Sequence, residues 1–134
     1  MSFARRAGIL LTVAVLFVGL YATLADAKKK RKGKTWSSEI TLVHPTSTEF
    51  SGRVSSNLKA CRAQRLVTVF YTDPHTGQTL PLSVQRTDKQ GGYLVALPKP
   101  AFSGSYHAEV SQRKIRALKA KQTCKAASSA SVSV

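Results

Sequence analysis

The chain has 134 residues, with 21 Lys and Arg against six Asp and Glu, for a net charge of +15. That length gives room for one domain and excludes two comfortable cores. Acids this sparse argue against a calcium site at Asp73 and Asp88, because hard-cation sites need several clustered carboxylates.

Arg5 and Arg6 open a positive stretch, an uncharged run covers residues 7–25, and Ala25-Asp26-Ala27 supplies small residues for signal peptidase. The reading is a signal peptide over 1–27, cut between Ala27 and Lys28. The apolar run is also about as long as a membrane-spanning helix requires, so a retained anchor is the competing reading. The basic run Lys28-Lys29-Lys30-Arg31-Lys32-Gly33-Lys34 follows directly. Charges so placed favour cytoplasmic retention, and in that case the run would read as a nuclear-localisation or nucleic-acid patch. After cleavage, residues 28–35 form a flexible basic leader that favours polyanions and contributes nothing to folding, and 36–134 form the domain. Nucleic acid is an unfavoured partner, because the aromatic residues alternate as core residues and export removes it.

Further along, period-2 patterning replaces helical spacing. Ile40-Thr41-Leu42-Val43 is a first strand; Phe50, Gly52 and Val54 alternate with Ser51, Arg53 and Ser55. Leu66 to Tyr71 and Tyr93 to Leu97 are more continuously apolar, as in central strands. Leu80, Leu82 and Val84 alternate with Pro81, Ser83 and Gln85, and Tyr106, Ala108 and Val110 with His107, Glu109 and Ser111, as half-buried strands. Turn signals fall at Asp73-Pro74-His75-Thr76-Gly77, at Asp88-Lys89-Gln90-Gly91-Gly92, at Pro98-Lys99-Pro100 and at Ser103-Gly104. In the second turn, Asp88 is expected to accept from amides two or more residues on, with Gly91 or Gly92 at positive φ. Residues 112–122 are basic and read equally as a loop or a short helix, and 128–134 as a last strand. The fold class is therefore all-β, a single sandwich of about seven strands.

Cys61 and Cys124 are the two cysteines. They have no Cys-x-x-Cys spacing, which removes the usual zinc and thioredoxin-like readings, and in an oxidising compartment they should pair. Two buried free thiols are the alternative.

Five fragments together carry a resemblance: Gly52-Arg53-Val54; Cys61 followed by Arg65-x-Val67-x-Val69; Thr87-Asp88-x-x-Gly91-x-Tyr93; Ser103-Gly104-x-Tyr106-x-Ala108-x-Val110; and Cys124-x-Ala126-x-Ser128. Over residues 48–134 the chain resembles small secreted bacterial β-sandwich modules of the carboxypeptidase regulatory-like, or transthyretin-like, kind. The resemblance implies an Ig-like or prealbumin-like fold and an extracytoplasmic address, and no reaction. Some such modules carry Lys–Asn isopeptide cross-links; here the only asparagine is Asn57, and residues 128–134 have none.

No enzyme or cofactor is expected. Of His44, His75 and His107, only His107 has an acid at strand-neighbour spacing, Glu109, which reads as a surface pair. The expected function is a secreted or envelope-associated module attached to anionic envelope polymers or lipid headgroups through Lys28, Lys29, Lys30, Arg31, Lys32 and Lys34, with Arg53, Arg62, Arg65, Arg113, Lys114 and Arg116 as a second basic face. A protein- or glycan-binding accessory domain with merely solubilising charge is the alternative.

Overall fold

A computed structural model describes residues 32–134. The processing site at Ala27 and Lys28, the signal or anchor reading of 1–27, and the cations Lys28, Lys29, Lys30 and Arg31 lie outside the described residues.

Twelve short strands form: β1 (Thr35–Trp36), β2 (Glu39–Ile40), β3 (Val43–Thr46), β4 (Glu49–Ser55), β5 (Leu66–Thr72), β6 (Thr79–Arg86), β7 (Gly92–Ala96), β8 (Ser105–Val110), β9 (Arg113–Ala117), β10 (Ala120–Cys124), β11 (Ala127–Ser128) and β12 (Val132–Ser133). The count exceeds the expected seven because the sandwich's edges are broken and a small sheet is added. β2 and β3 both pair with β4, and β11 and β12 both pair with β8. Taking each broken edge as one position leaves seven in the sandwich. The first, second and fifth positions make one sheet, and the third, fourth, sixth and seventh make the other. This is Greek-key connectivity of the immunoglobulin type.

The core follows from period-2 geometry. Phe50, Val54, Tyr93 and Val95 point inward from one sheet, with Ile40 and Leu42 beside them; Val67, Val69, Tyr106, Ala108 and Val110 point inward from the other. Phe50 and Tyr106 meet across the interior with ring centroids 4.6 Å apart. The Tyr106 hydroxyl donates to the Phe102 carbonyl at 2.7 Å, four residues upstream at the start of the sixth position, which is the tyrosine corner of such sandwiches. Removing that hydroxyl in Tyr106→Phe leaves the Phe102 carbonyl without this donor. It should cost about 1 kcal/mol, seen as a thermal midpoint lower by ~4–8 °C; an unchanged midpoint would show the bond to be incidental.

Gly52 sits on the inner face because a Cβ there would strike the Thr41 carbonyl and the Tyr93 hydroxyl. The space lets Tyr93 donate to the Thr41 carbonyl at 2.5 Å, and burial pushes the phenol's pKa up to about 12. The Asp88 turn forms as its residues dictate: one carboxylate oxygen accepts from the amides of Gln90 and Gly92, each at 2.8 Å, and Gly91 takes φ 92°.

Three strand readings change. β6 is an edge strand, and Leu80, Leu82 and Val84 are 48%, 39% and 57% exposed. Val84 lies outward because Ser83 and Gln85 pair with the inward Val69 and Val67; the ladder then slips by one residue between Val69 and Phe70, so Leu80 falls opposite Tyr71 instead and is exposed because the strand is an edge. β7 pairs with β4 alone, so it is an edge rather than a central strand, and Leu94 faces solvent. The first strand is interrupted at Thr41, whose amide and hydroxyl turn to the Arg53 carbonyl.

Candidate polyanion interface at the basic end

Antiparallel pairing brings the ends of β4, β6 and β8 and the starts of β5 and β7 to one end of the sandwich. Fourteen of the fifteen Lys and Arg in residues 32–134 lie at that end; the fifteenth, Lys99, is in the β7–β8 connection at the other. Among the described residues, no Lys or Arg lies within ion-pair distance of an Asp or Glu, and the single ion pair is His107–Glu109. The charge is thus polarised as well as large, and it is not consumed by internal pairing.

The element with the densest share of it, Arg113, Lys114, Arg116, Lys119 and Lys121, is the stretch left open by its sequence. Residues 112–122 lie in and around a β-hairpin, β9–β10, inserted between the sixth and seventh sandwich positions. β1 adds to β10 in parallel, which completes a small third sheet. The hairpin hid itself because its two-residue loop is Leu118-Lys119, both at positive φ, where Asn-Gly is the usual signal. Lys121 lies opposite Arg116, and Thr123 opposite Lys114, so Lys114, Arg116 and Lys121 share one face. No acidic residue follows Glu109 in the chain.

The opposite face of the small sheet is fixed by Gln122. Its side-chain oxygen accepts from the Trp36 indole at 2.9 Å and from the Lys34 amide at 3.2 Å, and its amide nitrogen donates to the Ala117 carbonyl at 3.1 Å. The Lys34 carbonyl accepts from the Thr123 amide, and the Lys34 ammonium sits 4.4 Å from the Trp36 ring centroid. Lys32, Gly33 and Lys34 therefore reach the domain beside β10, and Gly33 lies so close that a Cβ would meet the Lys121 carbonyl. Lys34 packs as structure as well as carrying charge.

Two anchors hold this hairpin to the sandwich. Cys61 and Cys124 are joined by a disulfide with Cα atoms 5.4 Å apart, tying β10 to the connection between β4 and β5. Arg65, expected on the basic surface, is instead fully buried. Its guanidinium donates to the carbonyls of Ser111 (2.7 Å) and Lys125 (2.8 Å), which are the two feet of the insert, and to the Cys61 carbonyl (2.7 Å) and the Ser38 hydroxyl (3.1 Å). Burial, then the charge of nearby Arg113, pulls its pKa below the ordinary arginine value. Arg62 and Arg113 are also partly committed to loop carbonyls, at Ser56 and at Ala63 and Gln64. The cations left to face a partner include Lys114, Arg116, Lys119 and Lys121 on the hairpin, with Lys32 beside it, Arg53 and Arg86 lining a shallow groove at the same end, and Lys59, Lys89 and Lys125 exposed around them.

The remaining candidates stay apart. His107 meets Glu109 at 3.3 Å on the outer face and stacks on Phe70, with centroids 5.1 Å apart. His44 and His75 lie at the other end of the sandwich, His44 stacked on Phe50. Asp73 accepts from the His75 amide at 2.7 Å, which with the Thr76 amide lowers its pKa and makes it a turn residue. Among the described residues, no three His, Cys, Asp or Glu side chains are grouped as a metal site requires, and no helix is long and apolar enough to cross a membrane.

Searches against family models, curated proteins and solved structures found no match for this chain.

Proposed function

We propose that the protein is an exported, non-catalytic β-sandwich module that attaches to anionic surfaces of the cell envelope through its basic end. The observation that carries this reading is the gathering of fourteen cations, none paired with an acid and all but Arg65 at the surface, at one end of the fold. A merely solubilising charge has no reason to be segregated, whereas opposed signs across an interface steer and hold a partner. Export is supported by the sequence of 1–27 and by the Cys61–Cys124 bridge, a linkage that persists in oxidising compartments. The architecture, the Asp88 turn and the tyrosine corner are in keeping with an accessory module of the carboxypeptidase regulatory-like or transthyretin-like kind.

The test separates position from net charge. Arg116→Glu and Lys99→Glu change the total charge equally, one at the basic end and one opposite. On immobilised polyphosphate or sulfated polymer, Arg116→Glu should elute at clearly lower salt. It should also flatten the dependence of log affinity on log salt by about 1, while Lys99→Glu behaves as the parent. Equal losses in the two variants would reduce the effect to non-specific charge.

A further inference from the structure

The tip of the β9–β10 hairpin is occupied by residues its turn disfavours. A two-residue loop with both residues at positive φ selects Asn and Gly, because a Cβ is crowded there. Leu118 (φ 53°) and Lys119 (φ 59°) occupy it instead. Leu118 is 62% exposed and has no place in the core cluster. Packing therefore does not account for it, and side chains kept in costly backbone conformations concentrate at functional sites. Its neighbours are all cationic or small: Lys119 adjoins it, the Ala117–Ala120 pair closes the loop, and the Arg116–Lys121 pair comes next.

An exposed aliphatic side chain at the apex of a cationic hairpin suits one kind of partner better than others. At an anionic bilayer, Lys and Arg meet the phosphates while an aliphatic group enters the boundary between headgroups and acyl chains. A soluble polyanion would engage the same cations but offers nothing to a leucine. We infer that the β9–β10 hairpin docks the protein on an anionic lipid bilayer, with Leu118 in the headgroup–acyl boundary and Arg116, Lys119 and Lys121 on lipid phosphates. The inference rests on the basic-end reading above and adds the lipid as partner.

Leu118→Asn distinguishes a lipid contact from a structural role, because asparagine accepts positive φ readily and should preserve or raise the thermal midpoint. The purified protein and this variant are sedimented with vesicles of equal phosphatidylcholine and phosphatidylglycerol, and with phosphatidylcholine vesicles as baseline. Both are also titrated with short-chain polyphosphate. Binding to the anionic vesicles should fall roughly tenfold, the weight of much of one buried leucine side chain, with polyphosphate binding unchanged. Vesicle binding equal to the parent's, an equal loss on polyphosphate, or a parent that binds polyphosphate but not anionic vesicles would each overturn the lipid assignment and leave the basic-end reading standing. A parent that binds neither at low salt would overturn both.

Discussion

Replacing Arg65 by methionine should lower the free energy of unfolding by about 3 kcal/mol or more. Two effects oppose each other at this position. Burying a cation with no carboxylate partner is costly, and its Nε has no acceptor, so an apolar replacement relieves some desolvation. Against that, the guanidinium's partners are the carbonyls of Cys61, Ser111 and Lys125 and the Ser38 hydroxyl, three of which are main chain and remain when the arginine goes. The buried Cys61 carbonyl left without a donor costs about 1–3 kcal/mol, and the part-buried bonds to Ser38, Ser111 and Lys125 add to it, so together they outweigh the relief. Arg65→Lys keeps the charge but offers one nitrogen in place of the planar fork, and should retain only part of the stability. Trp36, the only tryptophan, reports the unfolding directly in urea. A loss under about 1 kcal/mol in Arg65→Met would show that the feet of the hairpin do not depend on this residue.

The second large effect concerns the disulfide. Cys61 and Cys124 are 63 residues apart, and a cross-link closing such a loop restricts the unfolded chain by about 4 kcal/mol in the chain-entropy account. That is comparable with the whole stability of many small domains. The Cys61→Ser/Cys124→Ser double variant should therefore unfold at a much lower urea midpoint than the oxidised protein and match the protein assayed with reductant. Because the bridge and Arg65 secure the same insert, combining Arg65→Met with the double serine variant should cost less than the sum of the two losses. Strict additivity would mean that they support separate parts of the fold.

The sandwich's interior was legible in the sequence wherever one face of a strand is buried. Phe50 and Val54, Tyr106, Ala108 and Val110, and the Asp88–Gly91 turn each carry their geometry in local chemistry. Edge positions were not legible, because period-2 alternation reports that two faces differ without saying which is inward. Leu80, Leu82 and Val84 thus read as the apolar face of a half-buried strand and are exposed on an edge. The hairpin of the basic end escaped for another reason: its turn uses Leu118-Lys119, and its inward residue is Gln122, a polar side chain that satisfies three groups across strands no sequence pattern joins. Arg65 is the sharpest case. A lone arginine beside apolar residues resembles surface charge, and only the convergence of segments from Ser38 to Lys125 makes it a buried clamp. Charge content was visible from composition, whereas its gathering at one end follows from strand direction.

The most direct test of that polarisation is a titration of the ¹⁵N-labelled protein with short-chain polyphosphate, followed by amide chemical shifts at low salt. Residues 113–125 should move most, together with 32–36 and the Arg53 and Arg86 neighbourhoods, and the shifts should collapse as salt is raised. The amides around Lys99, His75 and His44 should stay in place. Shifts spread evenly over the surface, or centred on the Lys99 end, would contradict the assignment of the anion-binding function to the basic end.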